Sequence, residues 1–93
     1  MSYLETVVLG IAGTKKHIGG STRGKRILVP TGSTVTVEYT ICPPSMFAAD
    51  GPDTATWISA GDKVGPSMTD VTGPISAIRL TAVTANPTVF IAE

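Results

Sequence analysis

"TVTVEYTIC", Thr34 to Cys42, decides the fold class. Val35, Val37, Tyr39 and Ile41 share one parity, and Thr34, Thr36, Glu38 and Thr40 share the other. Unbroken period two in β-branched and aromatic residues describes a strand with one apolar and one polar face; a helix would scatter the same side chains around its axis. Working outward, the same reading assigns strands to "YLETVVLGIA" (3–12), "RILVP" (26–30), "TATWISA" (54–60), a short piece at 68–71, and runs at 75–84 and 88–92. "TGS" (31–33) and "GDKVG" (61–65) read as turns, and Asn86 with Pro87 as the link between the last two strands. Ten Gly and seven Pro break the chain at close intervals, which suits short strands with tight connections. The expected fold is all-β: a small antiparallel β-sandwich or flattened barrel of six to seven short strands. It forms a single domain over residues 1–93, with a basic Gly-rich loop or arm at 13–26.

A chain of 93 residues buries only a thin core, and domains of this size gain stability from disulfides, metals or association. A single Cys excludes an intrachain disulfide, and one His with one Cys argues against a zinc site. Association remains. The composition agrees, with 42% hydrophobic and 15% charged residues and a mean hydropathy of +0.26. The net charge of zero hides an asymmetry: residues 1–31 carry five basic and one acidic side chain, and residues 32–93 carry two basic and six acidic. No run is long and apolar enough for a membrane helix. "MSYLETVVLGIAG" has no basic leader and meets Glu5 and Thr6 early, so no signal peptide is expected, and synthesis is expected in a reducing cytoplasm.

Candidate chemistry is sparse. "GGSTRGKR" (19–26) approaches the phosphate-binding loop G-x-x-x-x-G-K-[ST], but Arg26 stands where the magnesium-binding hydroxyl belongs. A proline-ended strand also follows instead of a helix. Lys15, Lys16, Arg23, Lys25 and Arg26 could attract phosphates, yet no aromatic residue lies near them to stack on bases. The segment reads as a solvated loop or an arm that docks on an acidic partner protein. His17 has no acid beside it in sequence, and Cys42 ends an apolar strand as a small hydrophobe. Asp50, Asp53 and Asp62 lack the ligand density of a calcium loop and read as turn residues. No catalytic residue, cofactor or metal site is assigned.

Partner-binding candidates are Lys15, Lys16, Arg23, Lys25, Arg26, Met46, Phe47, Trp57, Val89 and Ile91. Met46 and Phe47 sit in the longest irregular stretch, 43–53, either as a lid folded back on the core or as an anchor for a neighbour. Trp57 lies outward if Ile58 faces the core, and could then stack on a sugar or enter a subunit interface; the alternative is a core position for Trp57 with Ile58 outside. In "TGPISAIRLTAVTANPTVFIAE" (72–93) a closing hairpin is expected, with Ile78, Leu80 and Ala82 inward. In the last strand Phe90, the largest apolar side chain, is placed inward, leaving Val89 and Ile91 for a partner or second sheet.

The order "STVTVEYTI", "ATWISAGDKVG", "VTGPISAIRLTAV", "TVFIAE" resembles small virion proteins of tailed bacteriophages, over residues 54–93 above all. The likeness is to head decoration (cement) proteins, and it implies a non-enzymatic structural subunit. Such a subunit binds the major capsid protein or another virion surface, stabilises it, and forms a homo-oligomer. It would reside in the virion after synthesis in the host cytoplasm, without membrane or nucleic-acid partners. The competing reading is a carbohydrate- or receptor-binding β-sandwich module, with Trp57 as its aromatic platform.

Overall fold

The computed structural model describes residues 4–47 and 53–93; Tyr3 and Asp50 lie outside the described residues. Eight strands follow in order: β1 (Leu4–Val8), β2 (Lys15–Ser21), β3 (Gly24–Val29), β4 (Thr34–Thr40), β5 (Ile58–Val64), β6 (Ser67–Thr72), β7 (Ile75–Ala82) and β8 (Thr88–Ala92), with a 3-10 turn at Pro44–Met46. They form two four-stranded sheets, ordered β1-β8-β3-β6 and β2-β7-β4-β5, and every pairing is antiparallel. The pairs β1–β8, β2–β7, β3–β6 and β4–β5 are the rungs of one long ribbon folded on itself between β4 and β5. Rolling that ribbon sends alternate rungs to opposite sheets, and the β3–β8 and β4–β7 pairings close each sheet. The result is a double-sheet jelly roll.

The core is almost purely aliphatic. Val7, Ile27, Val29, Val71, Val89 and Ile91 line the inside of the first sheet; Ile18, Val35, Val37, Ile78, Leu80 and Ala82 line the second. The inward placement of Ile78, Leu80 and Ala82 agrees with the parity of their strand. Val35 and Val37 are likewise buried, while Ile41 falls beyond the end of β4 and is exposed.

Three expectations are corrected. The segment read as a basic arm at 13–26 is mostly strand, because β2 pairs with β7 from Lys15 to Ser21 and β3 begins at Gly24. Alternation could not announce β2: it is an edge strand that buries only Ile18, and edges carry Lys and small residues that discourage further pairing. The strand read at 54–60 starts instead at Ile58 and runs through "GDKV". A β-bulge opposite Val37/Glu38 absorbs one extra residue there, and Gly61 takes a φ of +88°, so a sequence with turn chemistry continues the ladder.

The third correction concerns the closing segment: β7 and β8 form no hairpin, because β7 pairs with β2 and β4 while β8 crosses to the other sheet and pairs with β1 and β3, and the facing of β8 is reversed as well. Val89 and Ile91 are 0% and 2% exposed, and Phe90 is 40% exposed, the inverse of the expected facing. A one-residue change of phase flips every side chain of a strand. Burying two branched aliphatics, at about 1.5–3 kcal/mol each, outweighs burying one ring. Val89 stands opposite Val7, and Ile91 opposite Ile27, in continuous aliphatic rows.

Candidate functional site

The two outer faces of the sandwich differ in chemistry. On the second sheet, the register lines up His17 of β2, Arg79 of β7 and Glu38 of β4 in one row. Arg79 forks onto Glu38, donating from Nε to Oε1 at 3.1 Å and from Nη2 to Oε2 at 2.9 Å, and its Nη1 donates to Asp53 Oδ2 at 2.7 Å. The Trp57 indole N–H donates to Asp53 Oδ1 at 2.8 Å. Its ring lies parallel to His17, with centroids 5.4 Å apart and planes 5° apart. The Arg79 guanidinium carbon sits 4.5 Å from the indole centroid, and Phe47 packs 5.3 Å away at a tilt. His17 Nε2 is 3.4 Å from Asp53 Oδ2.

These contacts are charge-assisted and mutually satisfying. The Trp57 indole N–H, followed by Arg79, holds the Asp53 carboxyl below its ordinary range; Glu38, followed by Asp53, holds the Arg79 guanidinium above its own. Further bonds tie the same segment down: Thr40 Oγ1 donates to the Thr56 carbonyl at 2.7 Å, and the Thr54 N–H donates to the Met46 carbonyl at 2.8 Å. The cluster is a clasp that pins the two ends of the β4–β5 connection against the sheet. Sequence proximity missed it, because His17, Glu38, Asp53, Trp57 and Arg79 meet only through strand register.

This assigns three of the candidates, Met46, Phe47 and Trp57, and gives His17 a role. Phe47 is buried and Met46 half-buried, with Phe47 lying over the outer face beside Trp57 and His17 and not in the core cluster. Trp57 does lie on the outer side, but its N–H and ring are engaged by the chain's own groups. His17 has an acid after all, supplied by Asp53. The basic candidates are divided: Lys15 and Lys16 lie at the start of β2 in the second sheet, Lys25 and Arg26 lie on β3 in the first, and Arg23 precedes β3. Six residue steps of about 3.3 Å along β2 separate the two groups, so they form no single basic patch. Val89 and Ile91 are core residues and offer nothing to a partner.

The outer face of the first sheet gathers the exposed apolar residues into adjacent rows, whereas on the second sheet Ile58 and Val64 of the edge strand β5 are exposed. Register places Leu4, Ala92, Arg26 and Asp70 in one row and Thr6, Phe90, Leu28 and Met68 in the next. Leu4, Val8, Leu28, Met68 and Phe90 are all exposed, Met68 at 61%. A shallow hollow of about 250 Å³ runs along Leu4, Leu28, Met68 and Phe90. The Arg26–Asp70 ion pair, at 3.3 Å, borders it. Of these apolar residues only Phe90 is singled out from sequence, and there it is placed inward. A usable signal was present: on this sheet the β-branched Val and Ile point inward, and Leu, Met and Phe, which carry no branch at Cβ, point outward, with Val8 the exception. β-branched side chains pack closely on a pleated surface, so they take the core face.

The chain matches no protein-family model and no curated protein. Among solved structures it is similar to the one described as the crystal structure of PirA. That match has a TM-score of 0.61 and 11% identity, over 97% of this chain and 91% of that one. A chain of the Bacillus endospore appendages, described as a novel family of disulfide-linked pili, matches at a TM-score of 0.47 and 14% identity, over 99% of this chain and 85% of that one. The likeness to PirA is one of fold: the same all-β architecture spans nearly the whole of both chains.

Proposed function

We propose that this protein is a non-enzymatic structural subunit of a tailed-phage particle. It docks on the particle's shell through the outer face of its first sheet and stabilises that shell in many copies. The observation that carries the reading is the contrast between the two faces. One carries the clasp, with Ile58 and Val64 exposed along its β5 edge; the other leaves Phe90, Leu28, Met68, Leu4 and Val8 open to a partner across its breadth. Jelly rolls serve both viral shells and lectins, so the architecture does not choose between the two readings, and the surface must. A sugar site needs a free aromatic platform. Trp57 is committed to Asp53, His17 and Arg79, which favours the structural role over a carbohydrate-binding module.

Size sharpens the reading. Four strands about 4.8 Å apart and about five residues long give a flat footprint on the order of 300 Å². A freestanding pair of proteins buries about 800 Å² per partner. The face therefore makes a weak contact alone and a firm one when repeated over a surface.

The test is sedimentation of lysates from phage-producing cells, with gold-labelled antibody to this chain viewed in the electron microscope. Wild type should pellet with labelled particles, and Phe90→Glu combined with Met68→Glu should stay in the soluble fraction while remaining folded. Wild type recovered only as a soluble monomer would overturn the proposal, and selective binding on a glycan array that Trp57→Ala abolishes would favour the lectin reading.

A further inference from the structure

At the end of the first sheet, next to the apolar face, lies a cavity of about 450 Å³, within the size range of ligand pockets. Leu4, Val71 and Ala92 supply apolar wall, and Arg23, Lys25 and Arg26 supply cations. Lys25 is the unusual member. It shares the inward parity of Ile27 and Val29 on β3, and it is 9% exposed. Gly24 enforces the position. Its φ is +93°, and a Cβ there would come within 2.2 Å of the Val71 carbonyl oxygen, so only glycine lets β3 lie this close to β6 and point the next side chain inward.

Among the described residues, no carboxylate lies within 4 Å of Lys25 or Arg23, whereas Arg26 is matched by Asp70. Nor does either side chain donate a hydrogen bond. Among the described residues, Ser67 Oγ is the one side-chain polar atom sealed from solvent without a partner, so the Lys25 ammonium reaches the cavity instead of being trapped in the core. A buried stem with its charged head at an opening is ordinary snorkelling. Here, however, the cavity it reaches is also lined by a second unpaired cation, Arg23, and by the apolar Leu4, Val71 and Ala92, with Asp70 already paired to Arg26. Glu93 also lines the cavity but is exposed and forms no ion pair with Lys25.

We infer that Lys25 and Arg23 form a socket for a carboxylate side chain presented by the docking partner, on an acidic protein segment with apolar flanks. This deepens the docking reading, on which it rests. The cavity shares Leu4, Arg26 and Ala92 with the apolar hollow, so one partner segment can fill both. A carboxylate on an aliphatic stem satisfies both parts of the socket: its oxygens accept from the two cations, and its stem covers Leu4 and Val71.

The experiment titrates the isolated, 15N-labelled protein with the blocked tripeptide Leu-Glu-Leu, with Leu-Gln-Leu, and with inorganic phosphate. Leu-Glu-Leu should shift the amide signals of Arg23, Lys25 and Val71 in a saturable way, with a Kd of about 10 mM or tighter, and Leu-Gln-Leu should not. Lys25→Met keeps the buried stem and should weaken binding by about tenfold, and added salt should weaken it in wild type. Unchanged binding in Lys25→Met, or no saturable shift in wild type, would overturn the socket. Phosphate acting on the same signals as tightly as Leu-Glu-Leu would overturn the peptide assignment in favour of a simple anion site. Equal losses of stability in Lys25→Met and Glu93→Gln would also overturn it, by showing that Glu93 already holds the ammonium. The titration needs no particle, so its failure leaves the sedimentation result standing, and failure of docking leaves the socket measurable.

Discussion

Replacing Ile91 and Phe90 separately by alanine tests the facing of the closing strand. Ile91 is 2% exposed and lies across from Ile27 in the aliphatic layer. Its truncation opens a cavity in a thin, close-packed core and should cost roughly 2–5 kcal/mol. Phe90 is the larger side chain, but at 40% exposure it stands on the open face, in register between Thr6 and Leu28. Losing its partial burial should cost about 1–2 kcal/mol and leave no cavity. For a 93-residue chain, total stability on the order of 5–14 kcal/mol makes the first loss a large fraction of the whole. In urea, with a slope of roughly 1 kcal/mol/M for a small domain, Ile91→Ala should lower the midpoint by about 2 M or more and Phe90→Ala by about 1 to 2 M at most. Far-UV circular dichroism followed through the transition gives both midpoints. If Phe90→Ala proves the more damaging of the two, the strand is facing the other way and the apolar docking face does not exist.

Further outcomes concern the clasp and the core. Arg79→Met should destabilise the fold by about 2 kcal/mol or more, because it leaves the Glu38 and Asp53 carboxylates without their shared donor; thermal melts measure this. The Asp53 carboxyl titrates below its unfolded value of about 3.9, so protonation favours the open segment. The clasp's stabilisation is complete above about pH 5 and is lost as pH falls below 4 through the folded value. Trp57 is the chain's single tryptophan; its fluorescence should report that acid transition, and the transition should be absent in Asp53→Asn. Leu80→Ala, in the middle of the buried row on β7, should cost roughly 2–5 kcal/mol by the same melts.

What the residues determine by themselves is the class of fold and much of its core. Period-two runs of Val, Ile and Thr can be nothing but strands, and the inward set of β7 can be read directly from Ile78, Leu80 and Ala82. Parity alone could not decide β8, where both sets are apolar: choosing the largest side chain gave the wrong face. The choice belongs to the whole sheet, whose inner layer is continuous only when Val89 meets Val7 and Ile91 meets Ile27. β2 was hidden because an edge strand is held by backbone bonds to one neighbour and needs only Ile18 in the core. The clasp was hidden more deeply. Hydrogen-bond and stacking partners act over a few ångströms, and His17, Glu38, Asp53, Trp57 and Arg79 approach one another only after the ribbon has rolled. The same rolling separates Lys15 and Lys16 from Arg23, Lys25 and Arg26. Charge clustered along the chain becomes charge at two places on the surface, because successive strands pass to opposite sheets.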